Sequence, residues 1–109
     1  MDKIFKEMKK YKIVPVIVID DAEDAENLSD ALCEGGIPVA EVTFRTEAAE
    51  ETIRRMSRRH PDMLVGAGTV LTKEQVDRAS DAGAKFIVTP GLNPEIVRYC
   101  QERNVPGCP

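Results

Sequence analysis

Glu41-Val42-Thr43-Phe44-Arg45-Thr46, led in by Pro38-Val39-Ala40, is the stretch whose reading decides the fold. Read as a strand, it sends successive side chains to opposite faces. Val39, Glu41, Thr43 and Arg45 then share one face, and Ala40, Val42 and Phe44 share the other. The second set is apolar and suits packing under helices. The first set holds a carboxylate and a guanidinium roughly 13 Å apart along a strand rising ~3.3 Å per residue. Opposite charges on the inward face of a buried strand are unfavourable unless they pair or line a wet pocket. A solvent-facing edge strand with a harmless charge pair explains the stretch as well as a pocket does. The flanking segments have to decide.

Upstream, Met1 to Lys12 places Ile4, Phe5, Met8 and Tyr11 on one helical stripe, the pattern of a short amphipathic helix docked on a domain. Ile13-Val14-Pro15-Val16-Ile17-Val18-Ile19 is a continuous apolar, β-branched run, as in parallel strands buried on both faces. Asp20 and Asp21 offer an N-cap to a helix striped by Ala22, Ala25, Leu28, Ala31 and Leu32, which Gly35 and Gly36 stop. Downstream, Thr46 begins a second helix with Glu47, Glu50 and Glu51 at its positive end and Ile53 and Met56 facing the core. Met63-Leu64-Val65 is a third strand running into Gly66-Ala67-Gly68-Thr69. Thr72 and Gln75 form a capping box for a third helix, which points Val76 and Ala79 inward and closes at Gly83. Lys85-Phe86-Ile87-Val88-Thr89 is a fourth strand ending at Pro90-Gly91. Asn93 caps a fourth helix that has Pro94 at its first position, turns Ile96, Val97 and Cys100 inward and ends near Asn104. Val105-Pro106-Gly107-Cys108-Pro109 reads as the start of a fifth strand.

Strand alternates with helix four times, which means right-handed βαβ units and a parallel α/β sheet. A doubly wound open sheet and a (β/α)8 barrel both satisfy the rhythm, and a barrel normally takes ~250 residues. With 109 residues and a strand just begun at the end, residues 1–109 read as one truncated domain, the first half of a (β/α)8 TIM barrel with an N-terminal helix.

Composition narrows the function classes. The chain is 42% hydrophobic and 31% charged, with a formal net charge of −4. The acidic balance argues against nucleic acid or an anionic membrane as partner. The one basic cluster, Arg54, Arg55, Arg58 and Arg59, sits beside glutamates and reads as a solvated helix face. Cys33, Cys100 and Cys108 are odd in number and lack CxxC spacing, so they read as reduced thiols of a cytoplasmic protein and not as a disulfide frame or metal site. His60, before Pro61, reads as a capping or surface residue. No apolar run reaches the ~18 residues of a membrane span, and the charged N-terminus is unlike a signal peptide.

In either architecture ligands bind at the C-terminal ends of the strands. Here those ends are Glu41 to Arg45, Gly66 to Thr69 and Thr89 to Gly91. Gly66 and Gly68 let a ligand approach the backbone, and Thr69 supplies a hydroxyl and an N–H. The segment has neither the Gly-Lys-Ser/Thr of a P-loop nor GxGxxG spacing. Three small or polar strand ends in succession, beside Glu41 and Arg45, favour the pocket.

Val14-Pro15-Val16-Ile17-Val18, Glu41-Val42-Thr43-Phe44-Arg45-Thr46, Val65-Gly66-Ala67-Gly68-Thr69-Val70-Leu71 and Phe86-Ile87-Val88-Thr89-Pro90-Gly91-Leu92 also occur, in this order and spacing, in one family. They resemble the 2-keto-3-deoxy-6-phosphogluconate aldolases, also called 4-hydroxy-2-oxoglutarate aldolases, along the first half of that family's chain. The resemblance implies a cytoplasmic, usually trimeric (β/α)8 barrel, a class I aldolase using a lysine Schiff base and no metal or other cofactor. Such an enzyme cleaves a 2-keto-3-deoxy sugar acid to pyruvate and an aldehyde. Carried over by motif, Glu41 is the proton-transfer carboxylate acting through water, and Arg45 holds the substrate carboxylate. Thr69 assists with its hydroxyl or N–H, and Pro90 lines the pyruvate end.

One departure stands out. The family's Schiff-base lysine belongs to a later strand, and none of Lys12, Lys73 or Lys85 is placed to reach the C-terminal mouth. The expectation is half a pocket without its nucleophile, inactive alone. Two rivals remain. A phospho-receiver-like signalling module would use Asp20-Asp21 as its acidic pair, yet it needs an aspartate where Gly66-Ala67-Gly68 stands. The other is a half-barrel that self-associates to cover its open edges without catalysis.

Overall fold

The computed structural model describes residues 2–91 and 93–108. Met1, Leu92 and Pro109, and the side chains of Asp2, Phe5 and Cys108, fall outside the described residues and leave those parts of the sequence reading without a structural counterpart. In chain order the elements are α1 (Asp2–Tyr11), β1 (Val16–Ile17), α2 (Ala25–Glu34), β2 (Val39–Thr43) and α3 (Ala49–Arg59). They continue with β3 (Leu64–Gly68), α4 (Lys73–Ala82), β4 (Phe86–Val88), α5 (Pro94–Glu102) and β5 (Gly107–Cys108).

All strand pairs are parallel, in the spatial order β1-β2-β3-β4-β5. That order settles the choice between the two architectures. A doubly wound sheet reverses direction at a switch point, whereas an unbroken sequential order belongs to singly wound, barrel-type α/β sheets. It also removes the phospho-receiver rival. Asp21 is engaged locally: its carboxylate accepts the Glu23 N–H at 3.0 Å.

The sheet has two unlike faces. Ala40, Val42, Val65, Ala67 and Ile87 pack under α2 to α5 with Ala25, Ile53, Met56, Val76, Ala79, Ile96 and Cys100, forming the main core. On the opposite, inner face Val39, Leu64 and Phe86 form a second cluster covered by Ile4, Met8 and Tyr11 of α1. The expected amphipathic first helix thus closes the N-terminal end of the inner face. The helix punctuation follows local chemistry. Thr72 and Gln75 make the capping box of α4, Gly83 ends it at φ 113°, and Asn93 caps α5 with Pro94 in its first turn.

Three sequence expectations need correction. The apolar run 13–19 forms only a two-residue strand, and Ile13, Val16 and Val18 are 60%, 64% and 53% exposed. β1 is a sheet edge whose inner face has no cover among the described residues, so its hydrophobicity does not translate into burial. Asp21 caps a single 3-10 turn, Ala22–Asp24, before α2 begins at Ala25, and Ser29 takes a buried place while Ala31 is exposed. α3 starts at Ala49 rather than Thr46, because the Thr46 hydroxyl donates to the Ile19 carbonyl at 2.5 Å and ties the turn to the β1 exit. Among the described residues, no helix is long and apolar enough to cross a membrane.

Candidate functional site

The site is built on the inner face where β2, β3 and β4 end. Register aligns Val16 with Glu41, Glu41 with Gly66, and Gly66 with Phe86, so these four residues form one row across four strands' worth of sheet. Paired residues of parallel strands point to the same side. The row therefore carries one carboxylate between a valine and a phenyl ring. A Cβ built on Gly66 would run into the Phe86 ring, so the ring lies across the space Gly66 leaves. The next inner position along β3 is Gly68, and a Cβ there would meet the Glu41 side chain at its carboxylate and Cγ. Glu41 thus leans toward the C-terminal end of the sheet and rests on Gly68.

Its surroundings set its chemistry. Glu41 is half-buried, and among the described residues its side chain takes part in no hydrogen bond or ion pair. Burial raises its pKa above the ordinary glutamate value. A carboxylate that is desolvated and unpaired in this way holds a proton more readily, which suits it to proton transfer nearer neutral pH.

The other expected site residues lie at the same end of the sheet. β2 stops at Thr43, so Arg45 lies beyond the regular alternation, in the following turn, and is exposed. It makes no ion pair with Glu41, and the expectation that both project from one strand face fails at this residue. Thr43 is buried, and its hydroxyl donates to the Ile17 carbonyl at 3.1 Å, which pins the end of β2 to β1. Thr69 follows β3 in the left-handed region at φ 55°. A threonine rarely adopts that conformation, and such strain concentrates at ligand sites. Thr89 is buried with its hydroxyl donating to the Gly91 carbonyl at 3.2 Å, and Pro90 beside it is exposed.

The lysines sit elsewhere. Lys12 precedes β1, Lys73 opens α4 and lies 3.9 Å from Glu95, and Lys85, at the N-terminal end of β4, donates to the Pro61 carbonyl at 2.7 Å. Three of the four arginines of the α3 cluster are ion-paired: Arg54 to Glu50 and Glu51, Arg55 to Glu26 and Glu51, and Arg59 to Asp30. His60 caps α3 and lies 2.6 Å from the same Asp30. Arg55, Arg59 and His60 thereby brace α2 against α3 in the outer helix layer.

The sequence reading missed Phe86 and the two strand glycines as parts of the Glu41 environment. Their signal was present: Gly66 and Gly68 are two apart in a strand and therefore face the same side.

Comparisons with known proteins converge. The family model described as KDPG and KHG aldolase matches residues 4–109. A curated relative, the 2-dehydro-3-deoxy-phosphogluconate aldolase of Haemophilus influenzae, is 51% identical over 107 residues, which are 98% of this chain and 50% of that one. Among solved structures, the 2-keto-3-deoxy-6-phosphogluconate aldolase of Zymomonas mobilis ZM4 with 3-phosphoglycerate superposes at a TM-score of 0.89 with 38% identity, over 98% of this chain and 51% of the other. The KDPG aldolase of Legionella pneumophila, with pyruvate captured as a covalent carbinolamine, gives 0.83 and 43% over 88% and 47%. The chain spans about half the length of these relatives. With its sequential parallel sheet and matching strand-end motifs, the chain belongs to the KDPG and KHG aldolase family.

Proposed function

We propose that this chain supplies the β1-to-β5 half of an aldolase that cleaves a 2-keto-3-deoxy sugar acid to pyruvate and an aldehyde. The observation that carries the reading is Glu41, a half-buried carboxylate, without a partner among the described residues, at the C-terminal end of a parallel sheet. Retro-aldol cleavage needs an electron sink at C2, a base for the C4 hydroxyl and a cation for the substrate carboxylate. A Schiff base to lysine provides the sink. Glu41, through water, takes the C4 hydroxyl proton as the C3–C4 bond breaks. Arg45, exposed in the turn after β2, holds the carboxylate as a fork of donors. Thr69 adds its hydroxyl or N–H, and Pro90 borders the pyruvate end. The lysine comes from chain outside these 109 residues, since Lys73 turns to Glu95 and Tyr99 on the helix layer and Lys85 is engaged at the N-terminal end of β4. The working enzyme is a cytoplasmic homo-oligomer, a trimer by analogy with the family, with a small keto acid as its partner.

Incubation with pyruvate and borohydride leaves the mass of the 109-residue chain unchanged, and stoichiometric trapping on any of its lysines would refute this division of labour. Co-expression with the C-terminal half of the Haemophilus influenzae relative restores pyruvate release from 2-keto-3-deoxy-6-phosphogluconate. Glu41→Gln in the same pair abolishes it. Pyruvate release at the parental rate with Gln at 41 sinks the role given to Glu41.

A second reading rests on the exposed Ile13, Val16 and Val18 at the β1 edge. Alone, the chain self-associates to cover them. Sedimentation at low concentration tests this, and a clean monomer overturns it.

A further inference from the structure

Two glycines in succession on one face of a strand need a reason. Neither Gly66 nor Gly68 has a positive φ, whereas Gly36, Gly83 and Gly91 do. Backbone conformation therefore does not require glycine at either place, and both sit in the regular β2–β3 ladder opposite Glu41 and Thr43. Glycine weakens a strand by its flexibility and by offering nothing to pack. The remaining reason is room, and the structure says for what. At Gly66 the room is filled by the Phe86 ring, and at Gly68 by the Glu41 side chain, whose Cδ and Cγ would lie 2.7 and 2.8 Å from an added Cβ.

We propose that Gly68 is a positioning residue for Glu41: its missing Cβ forms a seat that holds the carboxylate against β3 at the strand ends, and Gly66 admits the Phe86 ring as the wall of that seat. The inference rests on Glu41 being the proton-transfer group, and it adds the device that places that group. The geometry makes the seat directional. Glu41 is in register with Gly66, which the ring already covers, so the carboxylate has to lean one row onward to Gly68, toward the mouth. The same arrangement accounts for its desolvation, since the ring and the sheet cover two sides while, among the described residues, no cation or N–H answers the charge. A methyl group at 68 removes the seat and pushes the side chain off the sheet into water.

The test uses the 109-residue chain and needs no turnover, so its outcome is independent of whether the protein cleaves a keto acid. Carbon-13 NMR titration follows the Glu41 carboxyl in the parent and in Gly68→Ala. The midpoint in the parent lies above the ordinary glutamate range and falls back toward it in the variant. An unmoved midpoint overturns the proposal. Thermal melts of parent, Glu41→Ala, Gly68→Ala and the double variant form a cycle that stands even when Gly68→Ala alone folds poorly. The drop in Tm caused by Gly68→Ala shrinks by at least half when residue 41 is already alanine. An equal drop in both backgrounds, or a double variant that fails to fold, shows that the methyl collides with something other than Glu41 and removes the seat.

Discussion

Replacing Phe86 with alanine tests the inner face as a whole. The ring is fully buried, lies over Gly66, and joins Val39 and Leu64 in the small cluster that α1 covers. None of these three neighbours can fill the gap: Gly66 has no side chain, and Val39 and Leu64 are held in the ladder. Truncating a buried phenylalanine costs about 3–5 kcal/mol where the site cannot collapse. Against a typical domain stability of ~5–15 kcal/mol this is a large share. At ~4 °C per kcal/mol for a domain of about this size, Tm falls by at least ~12 °C. Two local effects accompany the loss. Amide exchange speeds up in α1, whose Ile4, Met8 and Tyr11 lose their contact surface, while the amides of α3, packed on the other face, keep their relative protection. The Glu41 titration midpoint also moves down, because water reaches the carboxylate through the gap. Urea denaturation, hydrogen exchange read by mass spectrometry and a carboxyl NMR titration measure the three effects. A stability loss below ~1 kcal/mol, or faster exchange spread evenly over both faces, would show that the inner cluster does not act as a unit.

Glu41→Gln makes the chain more stable at neutral pH and changes its pH profile. Burial raises the native Glu41 pKa, so the native state holds the proton more tightly than the unfolded chain. Stability is therefore highest below the ordinary glutamate pKa, falls as pH rises through the window up to the raised native value, and stays lowered above it. Urea midpoints of parent and Glu41→Gln compared from acid to neutral pH reveal this, and parallel profiles contradict it. Asp30 has the opposite sign: Arg59 and then His60 hold its pKa below the ordinary aspartate value, so its contribution is present above that value and fades as pH drops through the lowered one. Asp30→Asn removes that acid-side slope, with only a small loss at neutral pH because the pair is exposed. Thr43→Val removes the hydroxyl's hydrogen bond to the Ile17 carbonyl and costs about 1 kcal/mol, seen as faster exchange along the β1–β2 ladder. Thr72→Ala dismantles the α4 capping box and costs ~1 kcal/mol in a thermal melt.

Much of this was written locally in the chain. Helix and strand periods, the Thr72–Gln75 box, the Asn93-Pro94 start and the Gly83 stop each depend on residues a few positions apart. The strand–helix rhythm then leaves only parallel architectures, and the strand-end segments at 41–46, 65–71 and 86–92 were specific enough to place the chain in its family. Reading failed where a side chain's fate depended on distant cover. The run 13–19 has the composition of a buried strand but stands at a sheet edge, and Thr46 has the makings of a cap but bonds across to Ile19. Arg45 fell outside the strand alternation because β2 ends two residues earlier. The spatial order of the strands, the lean of Glu41 onto Gly68 and the Phe86 ring across Gly66 come from register between segments twenty or more residues apart. Residue type and local spacing specify which faces are apolar and where elements stop, because those follow from backbone sterics and nearby hydrogen bonds. Which groups share a dry surface is set by how the strands align, and that alignment emerges only when the whole sheet packs against its helices.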